Sequence, residues 1–153
     1  MKAIVALGSG VVVMICDQLL KNAIARNPNI SVTSWIGISN TVHPWGISAL
    51  SVDPRIYTVA AFAILALICI VLFRYTMTAQ LQWALALVIG GGASNLIDHL
   101  VHGQIIETFY IASLEFNLAD IALLTSVLLI FHDMLLRLKK LDSTMEKKSV
   151  NEH

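Results

Sequence analysis

"IYTVAAFAILALICIVLF", residues 56–73, contains no charged side chain and is followed at once by Arg74. A helix needs about 20 mostly apolar residues to cross the hydrocarbon core of a bilayer, and this run comes close to that length. Working outward, three further stretches qualify: "AIVALGSGVVVMICDQLL" (3–20), "LQWALALVIGGGASNLID" (81–98) and "LADIALLTSVLLIFHDMLL" (118–136). The whole chain of 153 residues is 57% hydrophobic and only 13% charged, which suits a bundle of membrane spans and not a soluble domain. The expected fold is therefore all-α, a four-transmembrane-helix bundle forming a single domain over 1–153. Segments 21–55 and 99–117 lie outside the membrane on one side, and a polar tail, 137–153, is expected to be solvated and partly disordered. Within 21–55, "ISVTSWIGI" partly alternates polar with apolar residues like a short half-buried strand, and "NPN" and "DPR" supply turns, so a small β-containing extracytoplasmic platform is expected.

Formal net charge is zero, and no basic surface argues for nucleic acid. The distribution of cations is more informative. Lys2, Arg74, Arg137, Lys139, Lys140, Lys147 and Lys148 fall on one side of the spans, against Lys21, Arg26 and Arg55 on the other, so both termini are expected in the cytoplasm. The first span runs into "DQLLKNAIARN" without a small-residue cleavage site, and it reads as retained, not as a removed signal peptide. Cys16 and Cys69 sit in apolar runs and suggest neither a disulfide framework nor a zinc motif.

That topology places Asp17, Asp98 and Asp120 near the outer membrane face, with Glu107 in the loop between the third and fourth spans. Ionised groups at membrane depth cost several kcal/mol unless paired, and they commonly mark function. Each acid has a plainer reading too: a carboxylate at a span end can sit among headgroups, or, like Asp120, favour the positive end of a helix. Asp133 and His132, at the opposite end of the fourth span, fit that plainer reading, and Asn95 and Asn117 could be hydrogen-bonding glue between helices. The coincidence of position favours a site. Two carboxyls held close together do not both ionise, which provides a general acid and a general base at one pH for a water that attacks a peptide carbonyl. Such chemistry needs no metal and no nucleophilic side chain, and the chain carries neither G-x-S-x-G nor H-E-x-x-H.

The blocks "DQLLKNAI" (17–24), "GGASNLIDHLVHGQIIETFYI" (91–111) and "FNLADIAL" (116–123) resemble, in order and spacing, the signature blocks of the lipoprotein signal peptidases, or signal peptidase II. The resemblance implies an aspartic endopeptidase of the bacterial inner membrane, multi-pass, with its active site near the outer face. It would cut lipid-modified prolipoproteins before the lipidated cysteine, with membrane lipids and substrate as partners, no cofactor, and a monomeric state. It implies Asp120 as one catalytic acid and Glu107, nine positions after Asp98, as the other, where the family pattern has aspartate. Asp17, Lys21, Asn95, Asp98, Gly103, Asn117 and Ala119 fit the pattern as supporting residues, and a small sheet is expected over the membrane.

The chain departs from the family pattern elsewhere. His99 stands where arginine is usual, replacing a permanent cation by one that titrates. The N-x-G-x-(A/S)-F block survives only as "PWGISAL": Gly46 is kept, Pro44 replaces the substrate-holding asparagine and Ala49 the aromatic, leaving Asn40 or His43 as candidates to compensate. Trp35 and Trp45 suit the membrane interface as well as they suit substrate contact. Two alternatives stand beside the protease: a catalytically impaired homologue that binds lipopeptide without cutting it, and a metal-binding membrane protein using Asp98, His99, His102 and Glu107.

Overall fold

The computed structural model describes residues 2–26, 30, 31, 33, 35–43 and 53–151. Four long helices form the bundle: α1 (Lys2–Arg26), α2 (Pro54–Arg74), α3 (Ala79–His102) and α4 (Leu118–Asn151). All four are long and apolar enough to cross a membrane. Their ends follow local chemistry. The Asp53 carboxylate accepts the Arg55 amide N–H at 2.7 Å and Pro54 occupies the first turn of α2, where a missing N–H does no harm. Thr78 caps α3 by accepting from the Leu81 N–H at 3.2 Å. Gly103, at φ 71°, ends α3 in the left-handed conformation that glycine adopts without a Cβ clash.

α3 is the central helix: half of its most apolar window is buried, against 6% for α2, so α3 is wrapped by protein while α2 faces lipid nearly all round. The seam between α1 and α3 is made of small residues. Ala6, Ala84 and Ala86 are fully buried, and a Cβ on Gly90 would stand 2.1 Å from the Gly10 carbonyl oxygen. In lipid, where no hydrophobic force holds helices together, such close backbone approach supplies the packing attraction.

Over the end of the bundle formed by the C-terminus of α1, the C-terminus of α3 and the N-terminus of α4 lies an antiparallel sheet of β1 (Ile30–Ser31), β2 (Ile36–His43), β3 (Ile105–Ile111) and β4 (Leu114–Phe116), in that spatial order. The single strand expected over "ISVTSWIGI" is instead a hairpin. The Thr33 hydroxyl accepts the amide N–H groups of Trp35 and Ile36, at 3.3 and 3.1 Å, and turns the chain between β1 and β2. Glu107 is likewise not in a loop but in the middle of β3, opposite Thr41 of β2. β3 and β4 are joined at Ala112, whose φ of 55° is unusual for a residue with a side chain, and whose N–H is held by the Trp35 carbonyl at 2.6 Å.

One expectation is corrected outright. The tail after Arg137 is helical, continuing α4 through Asn151. "DSTMEKKSVN" holds no glycine or proline to stop it, and the Ser143 and Thr144 hydroxyls fold back on the Lys140 carbonyl at 3.0 and 2.8 Å, so polarity alone does not end the helix.

Candidate active site

The sheet-bearing end of the bundle holds a buried polar cluster assembled from α1, α3, β3 and α4. Asp17 and Lys21 are one helical turn apart on α1 and form an ion pair at 2.6 Å. Lys21 also pairs with Asp98 of α3 at 2.5 Å, so one cation lies between two carboxylates, all three almost wholly buried. Charges so placed need every remaining lone pair satisfied. Ser94 donates to Asp17 Oδ2 at 2.7 Å and Gln18 Nε2 donates to Asp98 Oδ1 at 2.7 Å.

The same two carboxylates reach out to main chain. Asp17 Oδ1 accepts the Ala119 N–H at 3.0 Å, in the first turn of α4, and Asp98 Oδ2 accepts the Ile106 N–H at 3.3 Å, one residue before Glu107. The ion cluster thus fixes the backbone beside both candidate catalytic acids without touching their side chains.

Asn117 joins the two acids. Its side-chain oxygen accepts the Asp120 N–H at 2.9 Å while Asp120 Oδ2 accepts the Asn117 N–H at 3.1 Å, a reciprocal capping box at the start of α4. Its amide nitrogen donates to Glu107 Oε2 at 3.1 Å, to Asn95 Oδ1 at 3.2 Å and to the Ile106 carbonyl at 3.3 Å. Asn95 closes the circuit, donating to Asp120 Oδ1 at 3.0 Å and accepting from Lys21 at 3.3 Å. Both oxygens of Asp120 are therefore held by neutral amides. Glu107 is 7% exposed and Asp120 is half-buried, so the pair sits at the edge of a water-poor site.

The structure brings Asp17, Lys21, Asn95, Asp98, Asn117, Glu107 and Asp120 into this one network. His99 stands apart: its Nε2 lies 3.1 Å from the Thr58 hydroxyl, and its ring meets Tyr57 edge-on at 4.9 Å, so it faces α2. Asp98 and His99 therefore point to different neighbours, and among the described residues no group of histidine, cysteine and carboxylate side chains could hold a metal. Gly46, with Pro44, Trp45 and Ala49, lies outside the described residues, as do the side chains of Asn40 and His43. Trp35 is exposed, 69%, as an interfacial residue would be. Gln18 and Ser94 were not singled out from sequence; the only clue was their place inside the "DQLLK" and "ASNLID" blocks.

Beneath the acids a cavity of about 280 Å³ opens between α2, α3 and α4. Tyr57, Ala61, Leu65, Val88 and Leu123 line it, with Asn95 at its polar end, so an apolar cavity between the spans reaches the amide that holds Asp120.

Fold and site together define a multi-pass membrane protein with a carboxylate cluster buried at one end of its bundle. Residues 10–136 match the family described as signal peptidase (SPase) II. Relatives in the same range of similarity are the lipoprotein signal peptidases of Burkholderia ambifaria strain MC40-6, 30% identical over 87% of this chain and 89% of that one, and of Paraburkholderia phymatum, 29% identical with the same coverage. A solved bacterial membrane enzyme shares the fold, with a TM-score of 0.75 at 23% identity over 87% of this chain and 92% of that one. The chain belongs to the signal peptidase II family, aspartic-type proteases of bacterial membranes.

Proposed function

We propose that this protein is a lipoprotein signal peptidase whose acid pair is Glu107 and Asp120. Family membership and the names of its relatives carry the activity, and they do not favour a metal protein. The observation that supports this particular pair is the single side chain of Asn117, which contacts Glu107 through its amide nitrogen at 3.1 Å and caps Asp120 through its oxygen at 2.9 Å.

In this reading a lipid-modified precursor enters sideways from the bilayer, its apolar segment beside α2 in the cavity and its scissile peptide beneath the sheet. Water between the carboxyls loses a proton to the ionised one and attacks the carbonyl carbon. The protonated carboxyl gives its proton to the carbonyl oxygen. Collapse of the tetrahedral intermediate breaks the C–N bond, and the protons return through the pair to the leaving amine. Asn95 and Asn117 hold the acids without neutralising them, and Lys21 is engaged by Asp17 and Asp98, so the pair keeps the negative charge its base needs.

The sheet and the acids lie at the outer face of the cytoplasmic membrane, with both termini inside, because seven of the ten lysines and arginines fall at the opposite end or in its tail. The protein works as a monomer, since the network is complete within one chain.

Expression in bacteria depleted of their own lipoprotein signal peptidase tests the reading. Precursor maturation should resume. If the protein inserts in the membrane but precursors accumulate, the protease assignment fails.

A further inference from the structure

At the end of the bundle away from the acids, a cleft of about 670 Å³ lies between the α2–α3 connection and the continuing α4. Thr76, Met77 and Thr78 form one wall, and Asp133, Leu136, Arg137, Lys140, Leu141 and Thr144, spaced at helical intervals, form the other. Two cations and one carboxylate meet there, and the carboxylate is already engaged. Asp133 Oδ1 accepts from the Thr78 hydroxyl at 2.6 Å, and its Oδ2 accepts from Arg137 Nε at 2.7 Å. That contact uses only one edge of the guanidinium. Among the described residues nothing accepts from the terminal nitrogens of Arg137 or from the Lys140 ammonium.

Depth decides what such a cleft meets. The hydrogen bond from Thr78 places Asp133 level with the α2–α3 connection, where the chain turns at the membrane surface. At ~1.5 Å per residue, Arg137 stands about 6 Å and Lys140 about 10 Å farther out along α4. Headgroups occupy roughly 5–8 Å beyond the hydrocarbon on each side, so Arg137 stands at phosphate level and Lys140, just beyond it, reaches back on its long flexible stem. Met77 and Leu136, deeper than the cations, supply an apolar wall on which the glycerol and upper acyl chain of a lipid can lie.

We propose that this cleft binds the headgroup of one anionic phospholipid, its phosphate held by Arg137 and Lys140, and that the lipid fastens the α2–α3 connection to α4. Asp133 is a positioning residue: by taking Nε, it leaves the two terminal nitrogens of Arg137 free to form a fork on the phosphate. The binding is independent of the proteolytic reaction.

The test is native mass spectrometry of the full chain released from nanodiscs of phosphatidylcholine and phosphatidylglycerol in equal parts. Wild type should retain one phosphatidylglycerol in preference to phosphatidylcholine. A hydrogen bond to a charged group is worth about 10-fold or more in affinity, so Lys140→Gln should lower the preference at least about 10-fold, and Arg137→Gln with Lys140→Gln about 100-fold or more. Lys140→Gln leaves both contacts of Asp133 intact, so its effect is not one of unfolding. Lys139→Gln makes the same change of charge on the neighbouring residue, which does not line the cleft, and should lower the preference by no more than the ~fivefold of a general surface cation. No preference in wild type, an equal loss with Lys139→Gln, or displacement of the lipid by inorganic phosphate would each overturn the proposal.

Discussion

Asn117→Asp is a nearly isosteric change that separates the two tasks of this residue. The new carboxyl keeps the oxygen that accepts the Asp120 N–H at 2.9 Å, and aspartate caps helices as well as asparagine does, so the start of α4 should persist. What disappears is the donor to Glu107 Oε2 at 3.1 Å, together with the longer contacts of the same nitrogen to Asn95 Oδ1 and the Ile106 carbonyl. A hydrogen bond to a charged group contributes about 1.5–3 kcal/mol, which is about 10- to 150-fold in rate if the bond is needed in the transition state. Repulsion adds to that. Two carboxylates at the observed 3.1 Å would repel by about 5 kcal/mol at an effective dielectric near 20, whereas protonating an ordinary carboxyl at pH 7 costs about 4 kcal/mol. The site therefore takes up a proton instead of carrying both charges, and the acid pair no longer holds its working protonation. The expected outcome is a fall in kcat/KM of at least ~100-fold at pH 7, with folding stability lowered by up to about 4 kcal/mol, the cost of that proton. That proton gives Glu107 a donor again, and its loss as pH rises above neutrality should lower the ratio of variant to wild-type rate further. The assay is cleavage of a purified diacylglyceryl-modified precursor in detergent, followed across pH. A variant within a few-fold of wild type at pH 7 would show that Asn117 does not hold the pair, and the account of the site would fail.

Other outcomes follow from neighbouring contacts. Lys21→Met leaves Asp17 and Asp98 buried without their shared cation, and should lower unfolding stability by about 3–5 kcal/mol along with activity; an unchanged melting temperature would refute the ion cluster. Gly90→Ala drives a methyl toward the Gly10 carbonyl, with 2.1 Å available, and should destabilise by about 1–3 kcal/mol. Gly92→Ala meets only the mobile end of Leu65 at 3.0 Å and should fall within about 1 kcal/mol of wild type in the same unfolding assay. Glu107→Asp draws the carboxylate back from Asn117 by one methylene, and a displacement near 1 Å should lower kcat/KM by about 100-fold.

The spans were legible because burial in lipid leaves a one-dimensional trace: a charge-free run such as 56–73 needs no partner to be recognised. The convergence of Asp17, Asp98 and Asp120 was legible for a related reason, since alternating span direction brings ends together whatever the packing. Strand β3 was missed because its acid and flanking apolar residues resemble a polar loop between spans, although Ile105, Ile106, Thr108, Phe109, Tyr110 and Ile111 are all good strand formers. The hairpin at 33–36 depends on one hydroxyl, a contact that no periodicity reports. The roles of Asn117 and Lys21 were only partly visible. Sequence placed both in the right blocks, but only three-dimensional contacts distinguish Lys21, which holds Asp17 and Asp98, from a cation that touches the acids. The helical continuation of α4 was hidden by composition, because polar residues with good helix propensity read as tail until the helix before them supplies a nucleus.

The most direct measurement is the single-turnover rate of precursor cleavage by wild type, Glu107→Gln and Asp120→Asn, each purified in folded form. Wild type should release the signal peptide in front of the lipid-modified cysteine, and each variant should be slower by more than about 100-fold, because each lacks one of the two proton-transfer groups. Cleavage by Glu107→Gln at a rate within a few-fold of wild type would mean that the carboxylate in β3 takes no part in the chemistry, and would contradict the acid-pair mechanism.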